Sequence, residues 1–194
     1  MSTTPLRLAL INSSVREGRF GPTVTNWVNS LAKERDDLQV DLIDLADHTL
    51  PYELSPNPRA EVAETLAKVS PRLADADVFL VVTPEYNHSF PASLKSLIDW
   101  HRTEWGAKPV GFVSYGGLAG GLRSVEQLRT VFAELHAVTV RDVVSFHNCW
   151  GQFDETGALK DPTAAIAAAT TLFDQLVWWG LALREAREKR PYSG

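Results

Sequence analysis

Hydrophobic residues along this chain form short runs that alternate with longer, regularly spaced patterns. Five short aliphatic runs are typical of β-strands buried on both faces, and they cover Leu6–Ile11, Val40–Asp44, Val78–Val82, Val110–Ser114 and Val138–Ser145. The segments between them carry apolar residues at three- and four-residue spacing, which predicts helices with one core-facing stripe. Strands that alternate with helices predict an α/β fold, with a doubly wound five-stranded parallel sheet and helices on both faces.

Five helices follow from the same spacing. We expect them at Pro22–Glu34, around Val62–Leu73, from about Pro91, around Leu122–Leu135 and at Pro162–Arg187. Pro71 falls late in the second helix, and because proline lacks a backbone N–H we expect a kink or an early end there. No linker or shift in composition divides the chain, so residues 1–194 are predicted to form one domain.

The composition limits the kinds of partner and compartment. The chain has 194 residues, 44% of them hydrophobic, and a formal net charge of −5. This charge argues against nucleic acid or an anionic membrane as partner, since both attract clustered lysine and arginine, and a small molecule is expected instead. The single cysteine fits a reducing compartment. Because we find no secretory signal and no apolar run near the ~20 residues of a spanning helix, a cytoplasmic protein is predicted.

The loop after the first strand carries candidate anion-binding groups. It leads into the helix that begins near Pro22, whose N-terminal N–H groups and partial positive charge favour a phosphate. Hydroxyl donors, guanidinium groups and glycines that let the backbone curl occur there together, at Ser13, Ser14, Arg16, Gly18, Arg19 and Gly21. The alternative is an ordinary connecting loop with two solvated arginines.

Three familiar phosphate loops do not match this segment. A Walker loop needs Gly-Lys-Ser/Thr, which the chain lacks, and Asn12–Gly18 does not follow the dinucleotide pattern G-x-G-x-x-G. A low-molecular-weight phosphatase loop would need a cysteine here, whereas Cys149 lies far downstream. The remaining interpretation is phosphate binding without chemistry at the phosphate.

Two further loops follow strands whose carboxyl ends share one sheet edge, where open α/β sheets bind ligands. Thr83–Phe90 offers the flat ring of Tyr86 and backbone donors near Asn87; alternatively, Glu85 is solvated, Tyr86 packs and Asn87 caps a turn. Tyr115–Gly121 has four glycines in six residues, which indicates either a backbone that approaches a ligand closely or a flexible loop. The three loops together favour a ligand site.

With these loops the chain strongly resembles the NAD(P)H-dependent FMN reductases of the flavodoxin-like fold, a family that includes quinone, azo and chromate reductases. The resemblance runs from Leu8 to about Phe146. The motifs that carry it are Ser14-Val15-Arg16-Glu17-Gly18-Arg19, Pro84-Glu85-Tyr86-Asn87, Leu94-Lys95 with Ile98-Asp99-Trp100, and Gly116-Gly117 with Gly120-Gly121. The chain departs from many relatives in having Ser13-Ser14 for Gly-Ser and Arg19-Phe20-Gly21 for Ser-x-Asn, which favours Arg16 over Arg19 as the phosphate contact.

The resemblance implies bound FMN as cofactor and NADPH or NADH as electron donor. It also implies that the first loop holds the FMN phosphate, while the second and third loops embrace the isoalloxazine ring. The cofactor-binding residues that follow are Ser13, Ser14, Arg16, Arg19, Phe20, Gly21, Pro84, Glu85, Tyr86, Asn87, Ser114, Tyr115, Gly116 and Gly117. Because hydride transfer to FMN needs no general acid or base, no catalytic side chain is assigned, and no metal ligand is expected.

The implied function is an FMN-dependent NAD(P)H oxidoreductase that passes electrons to a flavin, quinone or similar small-molecule acceptor. The alternative is a flavodoxin-like electron carrier or flavin-binding regulatory protein without NAD(P)H activity; the mild charge argues against a carrier, which would use strong charged patches. A metal-dependent hydrolase is disfavoured because the histidines lack metal-ligand spacing. A homodimer or homotetramer is expected from the family, with Trp100, Trp105, Trp178 and Trp179 as candidate contacts or, for the last two, core residues.

Overall fold

The computed structural model describes residues 4–193 and contains five strands in chain order. The strands are β1 (Leu6–Asn12), β2 (Leu38–Asp44), β3 (Val78–Pro84), β4 (Pro109–Tyr115) and β5 (Val138–Phe146). The helices are α1 (Gly21–Lys33), α2 (Ala60–Asp75), α3 (Ala92–Trp100), α4 (Leu122–Glu134) and α5 (Thr163–Lys189), with a 3₁₀ turn at Cys149–Gly151. Each predicted strand therefore forms, with ends that differ by no more than two residues.

The strands form one parallel sheet in the order β2-β1-β3-β4-β5. Leu10 of β1 pairs with Leu42 of β2 on one side and with Leu80 of β3 on the other. The strand that follows β1 in the chain, β2, thus lies on one side of β1, and the next strand, β3, lies on the other side, so the direction of strand addition reverses at β1. This reversal confirms the doubly wound, flavodoxin-like prediction, and the carboxyl ends of the strands beside β1 are where such sheets place their ligands.

Alternate residues of each strand face two separate cores. Leu8 and Leu10 pack with α1 and α5, whereas Ala9 and Ile11 pack with α2, α3 and α4. All four side chains are essentially inaccessible to solvent. Helices therefore cover both faces of the sheet, which explains why its strands read as nearly continuous apolar runs.

Helix α5 lies unusually close to the sheet at one glycine. A Cβ atom at Gly180 would come within 2.6 Å of Leu6 Cδ1 and 2.5 Å of Val78 Cγ1. By length and composition α5 could cross a membrane, so the expectation that no apolar run approaches a spanning helix is wrong for this segment. Its apolar residues instead include Leu172 and Leu176, which are buried against the sheet.

Two other expectations are corrected by packing. Pro71 lies inside α2, which continues to Asp75; an early end is wrong because buried Val69 and Leu73 anchor the helix on both sides of the proline. The expectation of Trp105 as a candidate subunit contact is wrong. The residue has no exposed surface and lies in the core, with its ring 4.6 Å from that of Phe79.

For Trp178 and Trp179 of α5 the sequence leaves two expectations, a core position and a subunit contact. Trp178 is 64% exposed and Trp179 37% exposed, so a core position is wrong for both. A role in subunit contact stays a prediction.

Candidate functional site

The carboxyl ends of β1, β3 and β4 bring the three predicted loops together. The Arg16 guanidinium of the first loop lies 5.6 Å from the centre of the Tyr86 ring in the second. The Glu85 N–H of the second loop donates to the carbonyl of Tyr115, where the third begins, at 3.1 Å. Ser93 of α3 donates its hydroxyl to the Ser13 carbonyl at 2.6 Å. The three loops predicted from separate stretches of sequence therefore lie together at one edge of the sheet.

The first loop presents free backbone donors in front of α1. Residues Val15 to Gly18 are exposed, and their N–H groups donate to no acceptor within residues 4–193. Gly18 has a φ of +64°, which turns the chain back toward the helix. Free amides at a helix N-terminus form an anion-binding cradle, because the helix dipole adds partial positive charge.

The two serine side chains of this loop point inward. Ser13 Oγ donates to the Val82 carbonyl at 2.9 Å, and Ser14 Oγ donates to Asn12 Oδ1 at 3.3 Å. Neither serine has exposed surface. Their hydroxyls thus shape the loop from inside, and a phosphate contact by either one would require another rotamer.

Arg19 is committed to a partner that sequence reasoning missed. Its guanidinium donates to both carboxylate oxygens of Asp44, Nη2 to Oδ2 at 2.8 Å, and to the Ser14 carbonyl at 2.6 Å. Burial tends to raise the pKa of Asp44, but bonds from Arg19 and from the Ala46 amide outweigh it and lower the pKa. The one signal in the sequence was that Asp44 ends the strand beside β1. Arg19 therefore braces the loop, whereas Arg16 has neither a hydrogen bond nor an ion pair with residues 4–193.

The first loop is supported by close packing among three residues, Phe20, Gly21 and Tyr115. The Phe20 ring lies 6.2 Å from that of Tyr115. A Cβ atom at Gly21 would come within 2.0 Å of Ser14 Oγ and 3.0 Å of the Tyr115 hydroxyl, so a side chain here would force Ser14 to move. Tyr115 is 4% exposed and its hydroxyl has no partner within the described residues; burial raises its pKa. The Tyr115 side chain thus packs against the first loop, although its backbone begins the third loop.

The second loop contains a tight turn with two strained residues. Tyr86 and Ser89 exchange two backbone hydrogen bonds, at 2.8 and 3.1 Å. The two residues between them, Asn87 and His88, have φ values of 50° and 73°, a left-handed conformation that costs about 1 kcal/mol or more in a non-glycine residue. Their N–H groups have no acceptor within residues 4–193. The turn, which follows Pro84 at the end of β3, therefore offers two free donors at the sheet edge.

Glu85 is held under this turn and is not solvated. Its side chain is 10% exposed, and Oε1 accepts a hydrogen bond from Arg123 Nη1 at 3.0 Å. Oε2 is buried without a partner within the described chain. The carboxylate thus joins the second loop to the start of α4.

The third loop is ordered by hydrogen bonds. The carbonyl of Gly120, a residue with a φ of +58°, accepts the hydroxyls of Ser114 at 2.8 Å and Ser145 at 2.9 Å. The Gly116 N–H donates to the Phe146 carbonyl at 3.1 Å. The N–H of Gly117 has no acceptor within residues 4–193. These hydrogen bonds hold the glycines in one backbone conformation, which favours a backbone that approaches a ligand over a flexible loop.

Metal and thiol chemistry find no support at this edge. Within residues 4–193, no three His, Cys, Asp or Glu side chains are close enough to hold a metal ion. Cys149 is buried, and burial raises the pKa of its thiol to about 11. A neutral buried thiol is a poor nucleophile.

Comparison with known proteins gives consistent matches. Residues 6–151 match the family described as NADPH-dependent FMN reductase. The chain is 34% identical over 128 residues to an NAD(P)H-dependent FMN reductase of Schizosaccharomyces pombe, an alignment that covers 62% of each chain. It is 30% identical over 171 residues to a probable NADPH:quinone oxidoreductase of Oryza sativa subsp. japonica, and that alignment covers 83% of each chain.

Among solved structures, the flavoenzyme NAD(P)H:(acceptor) oxidoreductase FerB of Paracoccus denitrificans aligns with a TM-score of 0.71 and 21% identity. That alignment covers 91% of this chain and 98% of FerB. At this identity the likeness shows the shared fold. The first two sequence relatives are matched over 62% and 65% of their own length.

Proposed function

Because the chain belongs to the NADPH-dependent FMN reductase family, we propose that it is an NAD(P)H oxidoreductase that uses FMN. NADPH or NADH donates a hydride, and a flavin, quinone or similar small molecule accepts the electrons. The observation that carries the proposal is the convergence of three sets of free backbone N–H groups at one sheet edge, in the loops after β1, β3 and β4.

The first loop suits the FMN phosphate. Val15 to Gly18 are exposed residues that precede α1, and their amides have no acceptor within residues 4–193. Arg16 adds an exposed guanidinium without a hydrogen bond or ion pair in that range. Arg19 balances Asp44, so its charge is already compensated. A dianionic phosphate here is therefore met mainly by backbone dipoles and Arg16.

The second and third loops suit a flat ring with polar edges. Asn87 and His88 supply free amides on one side, and Gly117 supplies bare backbone on the other. When bound, FMN supplies the hydride-accepting and electron-donating chemistry. These loops would hold the ring, and their amide dipoles would stabilise negative charge on the reduced ring.

The test is a titration with FMN followed by a turnover assay. Purified protein should bind FMN and, with 1,4-benzoquinone present, oxidise NADPH or NADH faster than free FMN at the same concentration. Binding without oxidation would support the electron-carrier or regulatory alternative. If the protein neither binds FMN nor oxidises NADPH or NADH, the result would contradict both the reductase proposal and this alternative.

The same proposal includes the state and location of the protein. We take residues 1–194 as a single reductase domain, since all five helices contact the one sheet. A homodimer or homotetramer is supported by the exposed indoles of Trp178 and Trp179, and light scattering would test it. A cytoplasmic location is supported by the single, unpaired cysteine.

A further inference from the structure

The first two turns of α4 hold the turn that contains Asn87 and His88. Ser124 Oγ lies 2.6 Å from the Ser89 carbonyl and 3.0 Å from the Pro84 carbonyl, and it has no exposed surface. Its single O–H proton is shared between carbonyls at the two ends of the turn. The Ser89 carbonyl also accepts the Tyr86 N–H, and the Pro84 carbonyl also accepts the Thr83 hydroxyl. Removing the Ser124 hydroxyl would therefore break a buried link from α4 to both ends of the turn.

Gln127, one helical turn further along, contacts the same segment twice. Its Nε2 donates to the His88 carbonyl at 2.8 Å, and its Oε1 accepts the Ser89 hydroxyl at 2.6 Å. The amide orientation is defined, because a carbonyl can only accept and so must face the nitrogen. The side chain lies at the surface and contributes little to the core.

These contacts oppose the strain in the turn. Asn87 and His88 both have positive φ values without being glycine, and such conformations persist only where surrounding groups hold them. Ser124 and Gln127 bond the backbone at His88, at Ser89 and just before the turn. They therefore fix the direction of the two free amides that the turn presents at the sheet edge.

We propose that Ser124 and Gln127 are positioning residues for the flavin ring, acting through the Tyr86–Ser89 turn. This inference rests on the proposed use of FMN. It assigns the two residues to the ring and not to the phosphate, since their side-chain hydrogen bonds within residues 4–193 go to the second loop and to Pro84 just before it. Their replacement should therefore affect FMN and riboflavin, which share the ring, by the same factor.

The experiment compares Gln127→Leu and Ser124→Ala with Glu126→Gln, a matched control at an exposed α4 position that does not contact the turn. Dissociation constants for FMN and riboflavin are measured by fluorescence, together with the absorption maximum and midpoint potential of the bound flavin. We expect both dissociation constants to rise about five- to tenfold in each test variant, with a shifted potential. Glu126→Gln should match the original protein.

Several results would overturn the inference. If Gln127→Leu binds both flavins like Glu126→Gln, with an unchanged spectrum and potential, the turn does not depend on α4. If the variants only lower the melting temperature while the folded fraction binds normally, the contacts are structural. Loss confined to FMN would place the effect at the phosphate. If the original protein binds neither flavin, the proposed function itself fails, and the inference with it.

Discussion

Arg19 and Asp44 join the first loop to the end of β2 through two parallel hydrogen bonds, Nη1 to Oδ1 at 2.5 Å and Nη2 to Oδ2 at 2.8 Å. Both side chains are 20% exposed. Asn12 adds a bond to the same carboxylate at 3.1 Å. The loop thus receives its shape from a charged network that links two neighbouring strands.

Replacing Asp44 with asparagine should destabilise the protein. We expect Asp44→Asn to lower the free energy of unfolding at pH 7 by about 2 kcal/mol, because charge-assisted bonds to Arg19 are lost. The folded-state pKa of Asp44 is lowered, so its contribution is present above the unfolded pKa of about 4 and disappears as the pH falls through the folded value. Urea unfolding between pH 7 and pH 3 measures this. Exposed Asp47→Asn is the control, and equal effects of the two variants would contradict the prediction.

Gly21→Ala should disturb the first loop. The added methyl group would collide with Ser14 Oγ and with Asn12 Oδ1, 2.0 and 2.6 Å away. We expect the free energy of unfolding to fall by about 2 kcal/mol or more. Compared with the original protein, we also expect the affinity for FMN to fall by a larger factor than the affinity for riboflavin. Gly151→Ala has open space around its Cβ position and should be near neutral. A stable Gly21→Ala protein with unchanged FMN affinity would contradict the packing argument.

Arg16→Ala should affect only phosphate-bearing flavin. Arg16 is exposed and lies over the Tyr86 ring without a hydrogen bond or ion pair within residues 4–193, so its removal breaks no internal hydrogen bond. We expect the dissociation constant for FMN to rise about tenfold or more, while that for riboflavin stays unchanged. Isothermal titration at two salt concentrations measures both values. Arg190→Ala, at the far end of α5, is the control, and an equal loss for both flavins would show that Arg16 does not act on the phosphate.

Lys108 should make stability depend on alkaline pH. The residue is 7% exposed, and its ammonium donates to the Leu73 and Ala74 carbonyls at the end of α2. Burial lowers its pKa from 10.5 to about 8. Between these values the unfolded chain binds more protons, so the free energy of unfolding should rise by about 1–2 kcal/mol from pH 8 to pH 10. Lys108→Met should remove this rise in urea unfolding; an unchanged pH profile would contradict it.

The sheet could be predicted because its signals are local. Each strand is an apolar run, and each covering helix carries its own stripe, as with Val24 and Val28 of α1. The flavodoxin-like fold followed from the family resemblance, and the meeting of the loops followed from the rule for parallel sheets. These features need no knowledge of which side chains touch.

The bonds inside the site could not be predicted in the same way. Arg19 and Asp44 are 25 positions apart, and Glu85 and Arg123 are 38 apart; no spacing rule selects such partners. The direction of the Tyr115 side chain was open to prediction, because strand alternation places it on the same face as Val113. Its place beneath the first loop depends on tertiary packing.

The close approach of Gly180 to Leu6 has a consequence for how the protein is made. β1 is covered on one face by α5, the helix that follows all five strands in the chain. Until about residue 180 has been synthesised, Leu6 and Val78 lack the surface against which they pack. Until α5 has been synthesised, the nascent chain therefore carries exposed apolar strands to which a chaperone can bind. Truncation within α5 should yield aggregation-prone protein even though the loops of the site are present.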